Sequence, residues 1–373
     1  MPSSKSDKIS GLQIMDKKRA SIVSVAKEAG VSLQTVSNVL NFPDRVKPET
    51  SKKVLKAIEK LNYTPNLSAR RLRSKRSSAI AVRIDSNAPV GKGSEGLYSG
   101  YIQDEFVYEL VRASELRGIR VFTYACEEKE NEVEKLSKLI DSREVDGFLL
   151  TSTVEADPRL KYLLDRNVPF LSFGRPWGSS PEFANSYPWI DVDGASGTRD
   201  ATKMFWKLGH RTIGFLGWKT SNQSSAKPKS VAEDRLLGWS QAYAELKDFK
   251  PKRSPRDYSE LGEETIASAR ASTARLLSRH PEIDAIVCAS DTLALGAQME
   301  IATLKKTIPV SGFDNSPTSK VFNFSSLDQN ISEVASLALK VLMGEEGNSI
   351  GKFNSLKQIS EPNLIIPPRL VIR

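Results

Sequence analysis

Ser21-Ile22-Val23-Ser24-Val25-Ala26-Lys27-Glu28-Ala29-Gly30-Val31-Ser32-Leu33-Gln34-Thr35-Val36-Ser37-Asn38-Val39-Leu40-Asn41 is the stretch on which the reading of the fold turns. Ser21 precedes a short helical run, residues 22–29, and Gly30 ends it, because glycine enters the left-handed turn conformation without steric cost. Ser32 is a hydroxyl N-cap for a second helix, residues 33–41. Val36, Val39 and Leu40 fall at helical spacing and give that helix one apolar face. Its other face carries Leu33, Gln34, Thr35, Ser37, Asn38 and Asn41. Two short helices joined by a tight, glycine-containing turn form a helix-turn-helix. Pro48 then starts a third amphipathic helix, with Val54, Leu55, Ile58 and Leu61 expected inward and lysines outward.

Charge is concentrated around this stretch. The whole chain of 373 residues carries a net +9, whereas residues 1–78 hold 17 Lys and Arg against 6 Asp and Glu, a net +11. Subtraction leaves −2 for residues 79–373, so a phosphate backbone is attracted to the N-terminal segment and nowhere else in particular. Residues 1–20 are polar and unpatterned and are expected to form a disordered basic arm.

The polar face of the second helix has the chemistry of a nucleic-acid reader. Short hydroxyl and amide side chains let the backbone approach phosphates closely, which suits Ser32, Thr35, Ser37 and Asn41 to phosphate contact. Gln34 and Asn38 carry a donor and an acceptor side by side, the pattern an adenine edge requires, and Leu33 can meet a thymine methyl.

The string Val25-Ala26, Ala29-Gly30-Val31-Ser32, Thr35-Val36-Ser37, Val39-Leu40-Asn41, followed by Leu61-Asn62-Tyr63, Pro65-Asn66, Ala69-Arg70 and Leu72, resembles the headpiece of the lactose/galactose-repressor (LacI/GalR) family. The resemblance implies double-stranded DNA as partner, read as a pseudo-palindromic operator by a homodimer. It places Leu33, Gln34 and Asn38 on bases and adds Ser21, Asn66, Arg70 and Leu72 to the DNA-contacting set. Many relatives have arginine where this chain has Asn38, which makes a guanine contact there less favoured. Residues 65–78 correspond to a hinge that becomes helical on DNA. Leu72, flanked by Arg70, Arg71, Arg73 and Lys75, matches the family's minor-groove wedge.

From residue 79 onward, short β-rich apolar runs alternate with helical patterns, as in βαβ units with a parallel sheet. Strands are expected at 79–84, 119–125, 145–151, 168–173, 189–192, 212–216, 285–288 and 309–313. The counts indicate an α/β region of two doubly wound lobes, with a ligand between them outside the carboxyl ends of the strands. The resemblance continues through Phe173-Gly174-Arg175, Leu208-Gly209-His210-Arg211, Arg235 and Gly238, Ser290-Asp291, Gly312-Phe313-Asp314-Asn315-Ser316 and Pro367-Pro368-Arg369-Leu370-Val371. It implies a fold similar to periplasmic sugar-binding proteins, with crossings between lobes near residues 189–193, near 327–331 and around Glu361. The expected organisation is therefore a disordered arm (1–20), an all-α helix-turn-helix domain (21–64), a hinge helix (65–78), and an effector-binding and dimerisation domain (79–373). Its lobes are expected to be residues 79–190 with 331–360, and 191–330 with 361–373. The implied effector-binding residues are Arg175, Arg235, Asp291 and Asp314, with Tyr258 as a stacking ring and Tyr101 and Gln103 from the first lobe helix. Charged groups beside an aromatic face suit a sugar, because carboxylate and guanidinium bind hydroxyls in pairs. The chain departs from the family in the long loop 87–100, at the cleft mouth, and in a shortened segment 298–311.

Other chemistries find little support. Gly91-Lys92-Gly93-Ser94-Glu95-Gly96 matches a dinucleotide fingerprint, but Pro89 and other residues separate it from the preceding strand, so a cleft loop is the better reading. Two cysteines and two histidines provide no disulfide framework, no metal site and no nucleophile–base pair. His210 is expected to bond nearby carbonyls. Neither an enzyme nor a cofactor is expected. The sequence carries no secretory pattern and no run long enough to span a membrane, which points to the cytoplasm. The competing reading is a sugar-binding transport component with an accessory N-terminal segment. The leading one is an allosteric, ligand-controlled transcriptional regulator, a repressor.

Overall fold

A computed structural model of the chain describes residues 20–41, 45–63, 77–84, 101–126, 132–153, 157–178, 185–219, 230–245, 254–343 and 363–373. It divides into two compact units, Met1–Lys75 and Arg76–Arg373.

The first unit holds three helices, α1 (Ile22–Ala29), α2 (Leu33–Asn41) and α3 (Pro48–Lys60). Ser21 and Ser24 cap α1 reciprocally, each side chain accepting from the other's backbone N–H. Gly30 follows at φ 65°. In that left-handed conformation the N–H groups of Gly30 and Val31 reach back to Lys27 and Ala26 and close the helix end. Ser32 caps α2, its Oγ accepting from the Thr35 N–H at 3.1 Å. The three helices bury Val25, Ala26, Val36, Val39, Val54 and Ala57 in a common core. Leu55, expected inside, is 55 % exposed; Ala57 takes the inward position, since each helical residue turns by about 100° and Leu55 falls at the flank of the face formed by Val54, Ala57 and Ile58.

The second unit contains two six-stranded sheets. The first is built from β1 (Ala79–Ile84), β2 (Arg120–Ala125), β3 (Gly147–Leu150), β4 (Phe170–Phe173), β5 (Trp189–Val192) and β11 (Asn363–Ile366), in the order β11-β5-β4-β3-β1-β2. Every pairing in it is parallel. The second is built from β6 (Ile213–Trp218), β7 (Ser259–Gly262), β8 (Ala285–Cys288), β9 (Val310–Phe313), β10 (Ser325–Asp328) and β12 (Arg369–Val371), in the order β12-β10-β9-β8-β6-β7. Only β12 is antiparallel to its neighbour. Central strands such as β3 and β8 are buried on both faces, which accounts for their unbroken apolar sequences.

Helices α4 (Tyr101–Glu115), α5 (Glu132–Asp141), α6 (Pro158–Asp165) and α12 (Ile331–Met343) accompany the first sheet. α7 (Gly194–Lys207), α8 (Val231–Glu245), α9 (Ile266–Arg279), α10 (Asp291–Thr303) and α11 (Pro317–Val321) accompany the second. The closest helix pairs are α7 with α8, α9 with α10, and α4 with α12. Gly238 permits the first of these: a Cβ there would lie 2.0 Å from the Ala195 carbonyl oxygen.

The chain passes between the sheets after β5 and again between β10 and α12. The third passage falls at Pro367-Pro368, between β11 and β12, not around Glu361. Residues 363–366 consequently belong to the first lobe, because the apolar run Asn-Leu-Ile-Ile adds a parallel edge to β5 before the paired prolines end it.

Candidate nucleic-acid interface and ligand cleft

On α2, Leu33 is 48 % exposed, and Gln34 lies in solvent beside it. Gln34 Nε2 donates to Asn38 Oδ1 at 3.1 Å, so the two amides one turn apart form a single polar strip. This leaves Gln34 an acceptor and Asn38 its amide donors, the complement of an adenine edge. The hydroxyls nearby are partly committed. Ser21 Oγ caps α1, and Ser32 Oγ lies 2.8 Å from Thr35 Oγ1 while accepting from the Thr35 N–H. Ser37 is half-buried and Asn41 closes α2. Asn66, Arg70 and Leu72 lie outside the described residues, as do the arm and the glycine run 91–96.

In the second unit, the residues that gather at the cleft follow the carboxyl ends of parallel strands, where loops and helix starts converge. Arg175 comes after β4, Trp218 ends β6, Glu264 follows β7, Asp291 follows β8 and Asp314 follows β9. Arg235, in the first turn of α8, reaches into the same region. Its buried Nη1 donates to the Ala289 carbonyl at 2.5 Å, and its guanidinium carbon lies 3.8 Å from the Phe313 ring centroid and 5.7 Å from that of Trp218. Its buried Nε has no hydrogen-bond partner among the described residues. Burial lowers the Arg235 pKa, against the opposing pull of Asp314, Glu264, Asp191 and Asp234.

Asp314 accepts from the Asp291 N–H at 3.0 Å and from Gln329 Nε2 at 2.8 Å. Burial lifts its carboxyl far above the ordinary carboxylate range; Asp291 adds to the lift and Arg235 opposes it. Asp291 is spoken for: it accepts from the Ser316 N–H and Oγ at 2.8 and 2.6 Å and from Ser326 Oγ at 2.5 Å. These bonds tie the start of α10 to the loop that carries Asp314 and to β10. From the opposite lobe, burial first, then Glu105 and more weakly Asp314 and Asp291, push the Tyr101 hydroxyl up to about 12, placing it within electrostatic reach of that acid pair. Gln103 Nε2 donates to Ser152 Oγ at 2.7 Å, after β3.

Arg175 belongs to the crossing between lobes. Its Nε donates to Asp191 Oδ2 at 2.6 Å and its Nη2 to the Val192 carbonyl at 3.1 Å, with Asp234 Oδ2 3.6 Å away. The guanidinium stacks on Trp177 at 4.6 Å.

Tyr258 is not brought to the cleft. It precedes β7, at the end of the sheet away from the cleft, and packs against His280 with ring centroids 4.8 Å apart. The rings that lie against Arg235 are those of Phe313 and Trp218. Trp218 and Glu264 are absent from the residues that the resemblance implies; the sequence signal for Trp218 is an indole just past the expected strand 212–216. His210 lies beside Asp284, 3.8 Å from its carboxylate, rather than on carbonyls. Among the described residues no group of side chains fits a metal ion, and no helix is long and apolar enough to cross a membrane.

A helix-turn-helix unit joined in one chain to a two-lobed α/β unit with a polar cleft defines a ligand-responsive DNA-binding protein. Residues 21–66 match the family model for bacterial regulatory proteins of the lacI family, and residues 202–373 match a periplasmic binding protein-like domain. The HTH-type transcriptional regulator CelR of Thermobifida fusca is 31% identical over 310 residues, which is 80% of this chain and 83% of that protein. Similar solved structures include a CelR–cellobiose complex (TM-score 0.63, 24% identity, covering 95% of this chain and 99% of that one). Another is the Lac repressor dimer bound to operator and the anti-inducer ONPF (TM-score 0.68, 24% identity, covering 95% and 98%). The chain belongs to the LacI family of bacterial regulatory proteins and is a DNA-binding transcriptional regulator.

Proposed function

We propose that the protein is a cytoplasmic repressor that binds a pseudo-palindromic operator as a homodimer and is controlled by a sugar held between the two lobes. The observation that carries the reading is the buried Arg235, whose Nε has no partner among the described residues, beside Asp314 and the Trp218 ring at the strand ends. A guanidinium and a carboxyl group that exchange bonds with hydroxyls, next to an indole face, suit a polyhydroxylated ring. The cellobiose bound by CelR and the operator bound by the Lac repressor dimer support the same assignment. Base reading is assigned to Leu33, Gln34 and Asn38, phosphate contact to Ser21, Ser32, Thr35, Ser37 and Asn41, and minor-groove wedging to Leu72 with Asn66 and Arg70. The function contains no catalytic step. The test is selection of bound DNA from a random pool, with and without a panel of sugars. An enriched palindromic site whose recovery changes with one sugar is the expected outcome; a pool left unenriched, or unaffected by every sugar, rejects the proposal.

A further inference from the structure

Beyond β12, Arg373 turns its side chain onto the loop that follows β9. Its Nη2 donates to Asn315 Oδ1 at 2.5 Å, and its Nη1 donates to the Phe324 carbonyl at 3.1 Å and to Ser319 Oγ at 3.3 Å. Its N–H donates to Ser325 Oγ at 3.1 Å. One guanidinium thus holds both ends of the segment 315–324, which contains α11, and anchors them to the antiparallel edge of the sheet. Forked, charge-assisted bonds of this kind are stronger and more directional than neutral ones.

Asn315 is the residue after Asp314, and it sits at φ 49°, in the left-handed region that a Cβ makes costly. Its polar groups are all engaged: the N–H donates to Ser326 Oγ at 2.9 Å, Nδ2 donates to Asp328 Oδ2 at 3.1 Å, and Oδ1 accepts from Arg373. Ser326 Oγ donates onward to Asp291 Oδ1 at 2.5 Å, and the Asp291 N–H donates to Asp314 Oδ2 at 3.0 Å. A chain of hydrogen bonds therefore joins Arg373 to the Asp314 carboxyl. Among the described residues Arg373 makes no bond to Asp314 itself, so it acts along this chain and through the backbone of Asn315. Burial raises the Asp291 carboxyl; the bonds from Ser316 and Ser326 oppose the rise, and so does the Arg373 charge.

We infer that Arg373 is a positioning residue for Asp314: it locks Asn315 in the left-handed conformation that sets the neighbouring carboxyl, so that effector affinity depends on a side chain at the sheet edge. The step from positioning to effector affinity rests on the reading of Asp314 as an effector-binding residue. Hydrogen exchange of the full chain tests the positioning with no effector present. Arg373→Met keeps an unbranched side chain and removes its donors. The Asn315 and Ser316 amides, which bond to Ser326 Oγ and Asp291 Oδ2, are expected to exchange roughly tenfold faster, while those of β8 are unchanged. Arg373→Lys, with the charge but not the fork, is expected to fall between, and it carries the test if Arg373→Met does not fold. Titration calorimetry with glucose, galactose, cellobiose, maltose and lactose reads the consequence. The sugar that the parent binds most tightly is expected to bind roughly tenfold more weakly to Arg373→Met. In an Asn315→Ala background the same substitution is expected to add less than about twofold, because Asn315 carries the effect. Unchanged exchange at residues 315 and 316 would overturn the inference, as would losses in sugar affinity that multiply in the double variant. An arginine that serves stability alone lowers the urea midpoint and leaves the sugar affinity of the folded protein as it was, which also overturns it. If the parent binds none of these sugars, the sugar reading falls and the exchange result alone decides the positioning.

Discussion

Arg175→Gln removes the cation that faces two buried carboxylates at the crossing between the lobes. Asp191 loses its 2.6 Å bond and keeps the N–H of its own neighbour Val192 at 2.9 Å; Asp234 keeps the Ala195 N–H at 3.0 Å. Deleting one partner of a buried pair costs about 3–5 kcal/mol, because the other charge is left in a poor solvent. The Arg175 side chain is itself 21% exposed, and the retained N–H bonds soften the loss, so roughly 2–3 kcal/mol near pH 8 is the expected deficit. The deficit should depend on pH. Burial already raises the Asp191 pKa, and Arg175 is the largest influence holding it down. Without the guanidinium the folded-state pKa rises further. A carboxyl with a raised folded pKa contributes stability that is complete below its unfolded value and is lost as pH rises through the folded value. Relative to the parent, Arg175→Gln should therefore be most unstable in mild alkali and recover as the pH falls and Asp191 takes up a proton. Urea unfolding at about pH 8 and about pH 5 measures this. Adding Asp191→Asn should abolish most of the pH dependence. A deficit of equal size at both pH values, or a double variant no better than the single one near pH 8, would refute the argument.

Three further outcomes follow from the same structure. Gly238→Ala should destabilise the second unit by roughly 2 kcal/mol in urea unfolding, since the methyl meets the Ala195 carbonyl and the overpacking outweighs the gain in helix propensity. Asn38→Ala should lose discrimination at one or two half-site positions, worth roughly 1–3 kcal/mol in binding assays on single-base variants, whereas Thr35→Ala should weaken all sequences evenly. Leu72→Ala should reduce operator affinity and DNA bending together in gel-shift and bend assays while leaving sugar affinity unchanged, because the wedge is absent and the cleft is intact.

Much of this architecture is legible in the sequence because its signals are local. Caps at Ser21 and Ser32, the left-handed Gly30 and the apolar spacing of α1 and α2 all concern neighbours in the chain. The doubly buried strands β3 and β8 announce themselves as unbroken apolar runs. Ser259-Glu260-Leu261-Gly262 and Ser325-Ser326-Leu327-Asp328 lack that signal. The first is half polar and the second more so, and pairing with β6 or β9 makes them strands where propensity does not. The edge strands β11 and β12 are likewise defined by partners far away in the chain. At the cleft, Arg235 and Asp314 are legible as parts of motifs, whereas nothing in the sequence around Tyr258 says at which end of its strand the ring lies. Which end of β7 faces the cleft is a property of the sheet, and it selects Glu264 and leaves Tyr258 in the core.

Control of the helix-turn-helix unit by the cleft is read in operator affinity, measured by fluorescence anisotropy with and without the active sugar. In the parent the sugar should change operator affinity by about fivefold or more, the scale of an ordinary coupling between sites. Arg235→Met, which keeps the stem and removes the guanidinium, should bind operator like the parent without sugar and lose the response to it. A parent whose operator affinity ignores every sugar that binds, or an Arg235→Met protein with an undiminished response, would contradict the account.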